Sequence, residues 1–371
     1  MTDDADGVNW VKISDATASG KFIYETKEKI KPSGVSRSRL VKPGDFLLSN
    51  SMSFGRPYIM QTTGCIHDGW LVLSDYEKCF DQSFLYHLLG SPVVFDQFDR
   101  LAAGSTVRNL NIELASRVSL PVPPLPEQQR IVGILDEAFN GIATAKANAK
   151  KNLQNARALF ESHLQSVFAD AWQTGKLVTL TDLATDITDG DHMPPPKAPS
   201  GVPFITIGNV AKDTRTIDFT DTFKVSREYF DRLKPNKKPQ KGDVLYTVTG
   251  SFGIPVLLDE QREFCFQRHI GLVRPKPEVS SEWLYYLLMS PQIFKQANDG
   301  ATGTAQKTVS LKLLRGFQVP LVPLEHQRAI AAKLKAVSEE TQRLESLYQR
   351  KLAALDALKK SLLHQAFSGQ L

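Results

Sequence analysis

The chain has 371 residues, 42% of them hydrophobic and 23% charged, which suits two globular domains with a core each and excludes a chain that is disordered throughout. Lys and Arg exceed Asp and Glu by 45 to 40, a mildly basic balance that permits a nucleic-acid partner without requiring one. No apolar run approaches the roughly 20 residues of a membrane span, the acidic start Met1-Thr-Asp-Asp is unlike a signal peptide, and Cys65, Cys79 and Cys265 form neither a CxxC nor a zinc-spaced set, so the expectation is a cytoplasmic protein with reduced thiols serving as apolar fillers.

In chain order, the first predicted elements are short strands at Trp10-Val-Lys-Ile, Phe46-Leu-Leu and Trp70-Leu-Val-Leu, closely punctuated by Gly and Pro. A compact helix follows from Gln82 to Leu89 and is stopped by Ser91-Pro92. Beyond the hinge Leu120-Pro-Val-Pro-Pro-Leu-Pro the sequence loses proline. It takes up a three-four apolar spacing at Ile131, Leu135, Phe139, Ile142, Ala145, Ala149, Leu153, Ala156, Phe160, Leu164 and Val167.

The same series then recurs about 198 residues later. Lys42-Pro-Gly-Asp-Phe-Leu and Ser53-Phe-Gly-Arg-Pro57 return as Lys241-Gly-Asp-Val-Leu and Ser251-Phe-Gly-Ile-Pro255. Strands are predicted at Phe204-Ile-Thr-Ile, Val244-Leu-Tyr-Thr-Val and Ile270-Gly-Leu-Val, and a helix from Glu282 to Met289 stopped by Ser290-Pro291. The hinge Val319-Pro-Leu-Val-Pro-Leu leads into a second stripe of Ile330, Leu334, Val337, Thr341, Leu344, Tyr348, Leu352, Leu355 and Leu362. A period of this length is a duplicated domain rather than a solenoid repeat. Each stripe predicts a helix of more than about 40 residues, or about 60 Å at 1.5 Å per residue, which outreaches a domain with a radius of gyration of about 15 Å. The fold expected is α+β: two tandem α/β domains and two long helices paired as an antiparallel coiled coil, with an internal pseudo-twofold repeat.

Catalytic signatures are absent: there is no GxxxxGK[ST] loop, HExxH, GxSxG or dinucleotide-type glycine turn. Asp15, Glu25 and Lys27 mimic the D...ExK pattern of some metal-dependent nucleases, but their repeat counterparts are Asn209, Phe219 and Asp221. His192, in Asp189-Gly-Asp-His, has no second histidine nearby and reads as a loop residue.

Cation clustering is more informative. Lys21, Lys27, Lys29, Lys31, Arg37, Arg39 and Lys42 precede the first Gly-Asp turn, and Lys224, Arg227, Arg232, Lys234, Lys237, Lys238 and Lys241 precede the second. One such run is ordinarily a solvated face. Its recurrence beside loops rich in Ser, Thr, Asn and Gly points to phosphate neutralisation. Lys29, Arg37, Arg39, Lys197, Arg227, Lys237 and Lys238 are candidate nucleic-acid-binding cations. The candidate base readers are Arg56, Arg108 and Asn109 in one half, and Thr249, Gln267, Arg268 and Lys307 in the other.

This layout resembles the specificity (S) subunit of Type I restriction-modification systems. The resemblance spans nearly the whole chain. It rests on the helix entrances Pro124-Leu-Pro-Glu-Gln-Gln-Arg130 and Pro323-Leu-Glu-His-Gln-Arg328, the two Gly-Asp turns, Ile187-Thr-Asp-Gly-Asp-His, and the chain end Ala366-Phe-Ser-Gly-Gln-Leu set against Ala171-Trp-Gln-Thr-Gly-Lys-Leu. It implies target-recognition domains at 1–122 and 177–322, and spacer helices at 123–176 and 323–371. It also implies double-stranded DNA read as a split target, two methyltransferase subunits docked on the helices and carrying the S-adenosylmethionine, motor-nuclease subunits joining in some assemblies, and no catalytic or metal site in the chain itself. The competing readings are a metal-dependent nuclease and a coiled-coil scaffold with no DNA role. One departure stands out: Lys176 to Ser200, a lead-in of 25 residues, has no counterpart before Gly7. Either the start lies upstream or the first reader is shortened. In a circular view of the repeat the segment would follow the C-terminus.

Overall fold

The computed structural model describes residues 1–50, 55–102, 110–193, 195–304 and 306–371. They form two compact units, Met1–Lys151 with Tyr348–Leu371, and Asn152–Leu347.

Unit 1 opens with β1 (Val8–Val11), α1 (Ile13–Ser19), β2 (Phe22–Ile23), β3 (Glu28–Ile30), β4 (Arg39–Val41) and β5 (Phe46–Ser49). It continues with β6 (Pro57–Met60), β7 (Gly64–Ile66), β8 (Trp70–Leu73), α2 (Gln82–Leu89), α3 (Pro92–Ala102) and α4 (Ile112–Ser116). Two sheets result, ordered β3-β1-β7-β4 and β2-β6-β5-β8. The helix α5 (Leu125–Thr174) begins in this unit.

Unit 2 contains β9 (Leu177–Thr179), α6 (Leu180–Leu183), β10 (Ala184–Asp189), β11 (Val202–Ile205), β12 (Val210–Ala211), β13 (Thr216–Ile217) and β14 (Phe223–Val225). Then come α7 (Arg227–Asp231), β15 (Val244–Thr247), β16 (Pro255–Leu257), β17 (Cys265–Phe266), β18 (Ile270–Pro275), α8 (Ser281–Met289), α9 (Pro291–Gly300), α10 (Leu311–Arg315), β19 (Gln318–Pro320) and the start of α11 (Leu324–Phe367), which from Tyr348 onward belongs to unit 1.

The duplication read from sequence is a duplication of strand pairing. β1 pairs antiparallel with β3 and parallel with β7, as β11 does with β14 and β17. β5 is flanked antiparallel by β6 and β8, as β15 is by β16 and β18. Single hydrogen bonds repeat too: Gln97 exchanges a side-chain pair with the backbone of Ser119, and Gln296 does the same with Gln318.

The strands predicted at Trp10-Val-Lys-Ile and Phe204-Ile-Thr-Ile sit earlier than expected, at Val8–Val11 and Val202–Ile205. The cause is local. The Asp15 carboxylate accepts from the Lys12 amide at 3.0 Å, and Asn209 Oδ1 accepts from the Thr206 amide at 2.9 Å, so each chain coils where the strand was expected to continue. Asp15 is 4% exposed and holds this turn, while Glu25 and Lys27 are exposed. Its twin Asn209 does the same work without a charge, so the D...ExK spacing is accounted for by capping. The Ser-Pro pairs both end one helix and begin the next, with Pro92 and Pro291 as first residues of α3 and α9, where a missing N–H costs nothing.

The stripes on the long helices are buried or half-buried at every predicted position from Ile131 to Val167 and from Ile330 to Leu362. In unit 1, Arg130 Nη2 donates to Leu371 O at 3.2 Å, Lys359 Nζ lies 4.7 Å from the Phe139 ring centroid, and Lys146 pairs with Asp356 at 2.5 Å. As α5 advances its α11 partner recedes, so the helices are antiparallel. In unit 2, Arg157 Nε pairs with Glu345 at 3.1 Å, and Leu164 and Phe168 share a core with Ala331 and Leu334. Among the described residues no helix is long and apolar enough to cross a membrane.

Candidate nucleic-acid interface

In unit 2 four loops converge on a polar cleft of about 320 Å³, lined among others by Asp189, Thr249, Arg268, His269, Gln306 and Thr308. The Asp189-Gly-Asp-His192 loop is laced to the β17–β18 turn: the Asp191 amide donates to Phe266 O at 2.9 Å, and the Arg268 amide to Asp191 O at 3.1 Å. A Cβ on Gly190 would lie 1.9 Å from Phe266 O, so only glycine permits this approach. On the other side Thr302 and Thr308 exchange backbone bonds at 3.0 and 2.7 Å, the Gly250 amide donates to Lys307 O at 3.1 Å, and the Thr308 hydroxyl reaches Thr249 Oγ1 at 3.5 Å. Gly303, at φ +110°, makes that hairpin-like turn.

Two of the four residues selected as base readers in this half, Thr249 and Arg268, line this cleft. Thr249 is buried, and Arg268 is exposed with no ion pair among the described residues, while Gln267, its neighbour in sequence, lies outside the lining, half-buried, with its amide donating to Ile205 O at 2.9 Å. Lys307 is exposed and turned toward Asn298 Oδ1 at 3.1 Å. Sequence reading did not single out His269 and Gln306, which also line the cleft. Burial, and then the Arg268 charge, push the His269 pKa down, so this imidazole is neutral near pH 7 and offers one donor and one acceptor. His192 Nε2 lies 2.8 Å from Asp189 Oδ2. It belongs to the loop, and among the described residues no three His, Cys, Asp or Glu side chains gather as metal ligands do.

The cations behave in two ways. Lys237 Nζ donates to Gly190 O at 3.1 Å, and Lys238 Nζ donates to Asp231 O at 3.0 Å while lying 5.1 Å from the Phe230 ring centroid. Arg227 is paired with Asp231 at 3.0 Å and with Glu263, and Lys197 lies over the Phe223 ring at 5.3 Å. These side chains therefore brace the basic loop as well as charging it. In unit 1, Arg37 and Arg39 are exposed and carry no ion pair among the described residues, and Lys29 is half-buried in β3. Arg56 is exposed just after Gly55, whose φ is +78°. Arg108 and Asn109 lie outside the described residues.

A joint that sequence reading left unexplained ties each reader to its long helix. The glutamine of each helix-entrance motif is buried, Gln128 completely and Gln327 to 2% exposure. Gln128 accepts from the Asp81 amide at 2.8 Å and donates to Cys79 O and Pro123 O, both at 2.8 Å. Gln327 accepts from the Ser280 amide at 2.8 Å and donates to Val322 O at 2.7 Å. Asp81 and Ser280 are the N-caps of α2 and α8, so one side chain fixes the start of a reader helix against the start of a long one.

The profile of the Type I restriction modification DNA specificity domain matches residues 3–155 and 172–352. The chain belongs to this family. The MjaVIII specificity subunit of Methanocaldococcus jannaschii is 23% identical over 97% of this chain and 84% of its own length. The EcoKI specificity subunit of Escherichia coli is 22% identical over 95% and 80%. Among solved structures, the HsdS subunit from Thermoanaerobacter tengcongensis superposes with a TM-score of 0.66 at 22% identity, over 98% of this chain and 91% of that one. A chain solved in a study of complex assembly and conformational transition of the type I R-M system reaches 0.80 at 22% identity, over 98% and 92%. At these identities the superpositions speak for the fold: two α/β domains and two long antiparallel helices.

Proposed function

We propose that this specificity subunit reads a two-part DNA target, one part per unit, and is itself non-catalytic. The observation that carries the proposal is the cleft of unit 2. Four loops bring Thr249, Arg268 and Gln306 to one opening, tied to the basic loop through Lys237 and Gly190 O, which is the combination of groove-edge donors and phosphate-neutralising charge that sequence-specific binding needs. The recognition domains correspond to 1–122 and 177–322. The helices set the separation of the half-sites and dock two methyltransferase subunits, which bring S-adenosylmethionine and flip an adenine in each half-site. Motor-nuclease subunits can join this assembly to make a restriction enzyme, and the assembly works in the cytoplasm. The long helices favour this reading over a free-standing reader, because their 50 and 44 residues run to about 75 and 66 Å at 1.5 Å per residue. That is about two turns of DNA at roughly 34 Å each.

The test is single-molecule sequencing of DNA from cells expressing the chain with its methyltransferase, against cells lacking the chain. A split motif with a modified adenine in each half is the expected result. An unchanged methylation pattern would refute the reading.

A further inference from the structure

An apolar feature of unit 2 stands beside the cleft and takes no part in its polar reading. Phe252 and Phe294 stack with ring centroids 5.8 Å apart and planes 15° from parallel, and Phe294 is 48% exposed. The β15–β16 loop that carries Phe252 also carries Thr249 of the cleft, and it is closed on itself by several bonds. The Thr247 hydroxyl donates to Ser251 O at 2.8 Å and accepts from the Ile254 amide at 2.9 Å, and the Gly253 amide donates to Thr247 O at 2.9 Å. Gly253 has φ +89°, and a Cβ there would lie 2.8 Å from Phe294 Cδ2, so both the backbone and the ring require glycine.

The rings adjoin the cleft from two directions. A Cβ on Gly250 would lie 3.0 Å from Gln306 Nε2, which puts this loop against the Gln306 turn. Lys307 Nζ donates to Asn298 Oδ1 at 3.1 Å, and Asn298 comes one helical turn after Phe294 on the exposed side of α9. Exposure at this position recurs in unit 1, where Phe95 follows Pro92 as Phe294 follows Pro291 and is 43% exposed. Both copies thus leave an aromatic ring in water and forgo the stabilisation its burial would bring. Phe294 is held between Gly253 and Phe252 and does not swing outward as a wedge entering between base pairs must. It offers a fixed apolar surface next to groove-edge donors. On its base edges the major groove presents one apolar group, the thymine 5-methyl.

We propose that Phe294, backed by Phe252, contacts the 5-methyl group of a thymine in the half-site read by unit 2. This assignment rests on the DNA reading above and adds to it a specificity residue of opposite character. Arg268 and Gln306 select by hydrogen bonds to a base edge, whereas the ring favours the base whose edge carries a methyl. Removing the methyl from such a contact lowers affinity about fourfold, the transfer value of one buried apolar carbon.

The test uses the full chain with its methyltransferase, and duplexes carrying the motif found by methylation sequencing. Each thymine of the motif, on either strand, is replaced singly by deoxyuridine, which removes the 5-methyl and nothing else. The thymine and deoxyuridine duplexes then compete for the same protein, so their affinity ratio does not depend on how much of a sample is folded. Expected is a thymine at which the unaltered chain prefers thymine over deoxyuridine by about fourfold, with Phe294→Ala lowering that ratio to about one. A chain that shows no such preference at any thymine of the motif overturns the proposal. So does a Phe294→Ala variant that keeps the unaltered ratio: with affinity retained, the methyl lies against another side chain, and with both duplexes bound more weakly, the ring touches deoxyribose or another protein. A chain that yields no split motif fails the DNA reading itself, and the assignment falls with it.

Discussion

Asp243→Asn replaces one carboxylate oxygen by an amide nitrogen at nearly constant volume, and its effect is set by what the carboxylate faces. Arg274 grips Asp243 by two parallel bonds, Nε to Oδ1 at 2.9 Å and Nη2 to Oδ2 at 2.8 Å, with side-chain exposures of 17% and 2%. The hydrogen bond to Asp243 is the largest cause of the raised Arg274 pKa, with burial opposing it. Removing one charge leaves a guanidinium largely withdrawn from water, a loss of roughly 3–5 kcal/mol. The twin position provides an internal control. Asp45 accepts from the Lys42 amide at 2.9 Å, as Asp243 does from the Gln240 amide at 2.9 Å, but its other partner is the Ser74 hydroxyl at 3.1 Å. Asp45→Asn therefore weakens only hydrogen bonds, at roughly 1 kcal/mol. The difference of roughly 2–4 kcal/mol corresponds to amide exchange in β15 of Asp243→Asn accelerating about 30-fold or more beyond that in β5 of Asp45→Asn. Arg274 Nη2 also holds Lys238 O at 2.9 Å, so DNA affinity falls along with stability in the unit 2 variant. Arg274→Lys does not restore either, because an ammonium cannot form the two-pronged contact. Equal acceleration in the two variants would refute the argument that charge pairing, rather than the Gly-Asp turn itself, carries the stability.

Replacing both Arg37 and Arg39 by Ala is expected to lower the slope of log affinity against log salt by roughly 1.8, two phosphates' worth, with the fold unchanged by circular dichroism. Thr249→Ala and Arg268→Ala are expected to relax the methylated motif in one half-site only, with a loss of roughly 1–3 kcal/mol at the base pair concerned, read by motif sequencing and competition binding. Gln327→Leu strands the Ser280 amide and Val322 carbonyl and is expected to destabilise unit 2 by roughly 2 kcal/mol in urea unfolding, with no comparable loss in unit 1. Burial lowers the His87 pKa against the opposing hydrogen bond to Asp136, while Lys21 and Lys359 also lower it. The folded imidazole thus binds its proton less readily than the unfolded one. Stability is full above 6.5 and falls as pH drops below that value, and His87→Gln is expected to flatten the dependence in unfolding curves.

What was legible in the sequence follows from which interactions are local or periodic. The long helices announce themselves because burial on one face imposes a three-four spacing, and every residue of both stripes is withdrawn from water. The tandem duplication survives in turns that tolerate few residues, such as Gly-Asp, and in the helix entrances. Strand limits were less legible, since one capping side chain, Asp15 or Asn209, decides where each first strand stops. The cleft was legible only in part. Thr249 and Arg268 could be selected by residue type beside a motif, but His269 and Gln306 reach the same opening through loop crossings between distant segments. The buried pair Asp243 and Arg274 is equally long-range. Comparing the halves could have exposed it, because Arg274 stands where the first half has Ser74.

The helix-entrance glutamines bear on how such a chain can change its target and keep its assembly. Each reader meets its long helix through a junction made mostly of backbone groups: the Asp81 amide and two carbonyls at Gln128, the Ser280 amide and one carbonyl at Gln327. Backbone partners place little demand on side-chain identity. The loops of the cleft can therefore vary while the angle between reader helix and long helix is retained. The same holds for the backbone pairings that close the cleft, Gly250 with Lys307 and Thr302 with Thr308. Side chains at the cleft mouth, Arg268 and Gln306, are exposed and contribute little to the core. Exchanging them should shift the base preference at low cost in stability, whereas exchanging Gln327 for leucine should lower stability and loosen the joint without changing the motif read. A variant at Gln327 that altered the methylated sequence while leaving stability intact would show that this division between joint and reader is wrong.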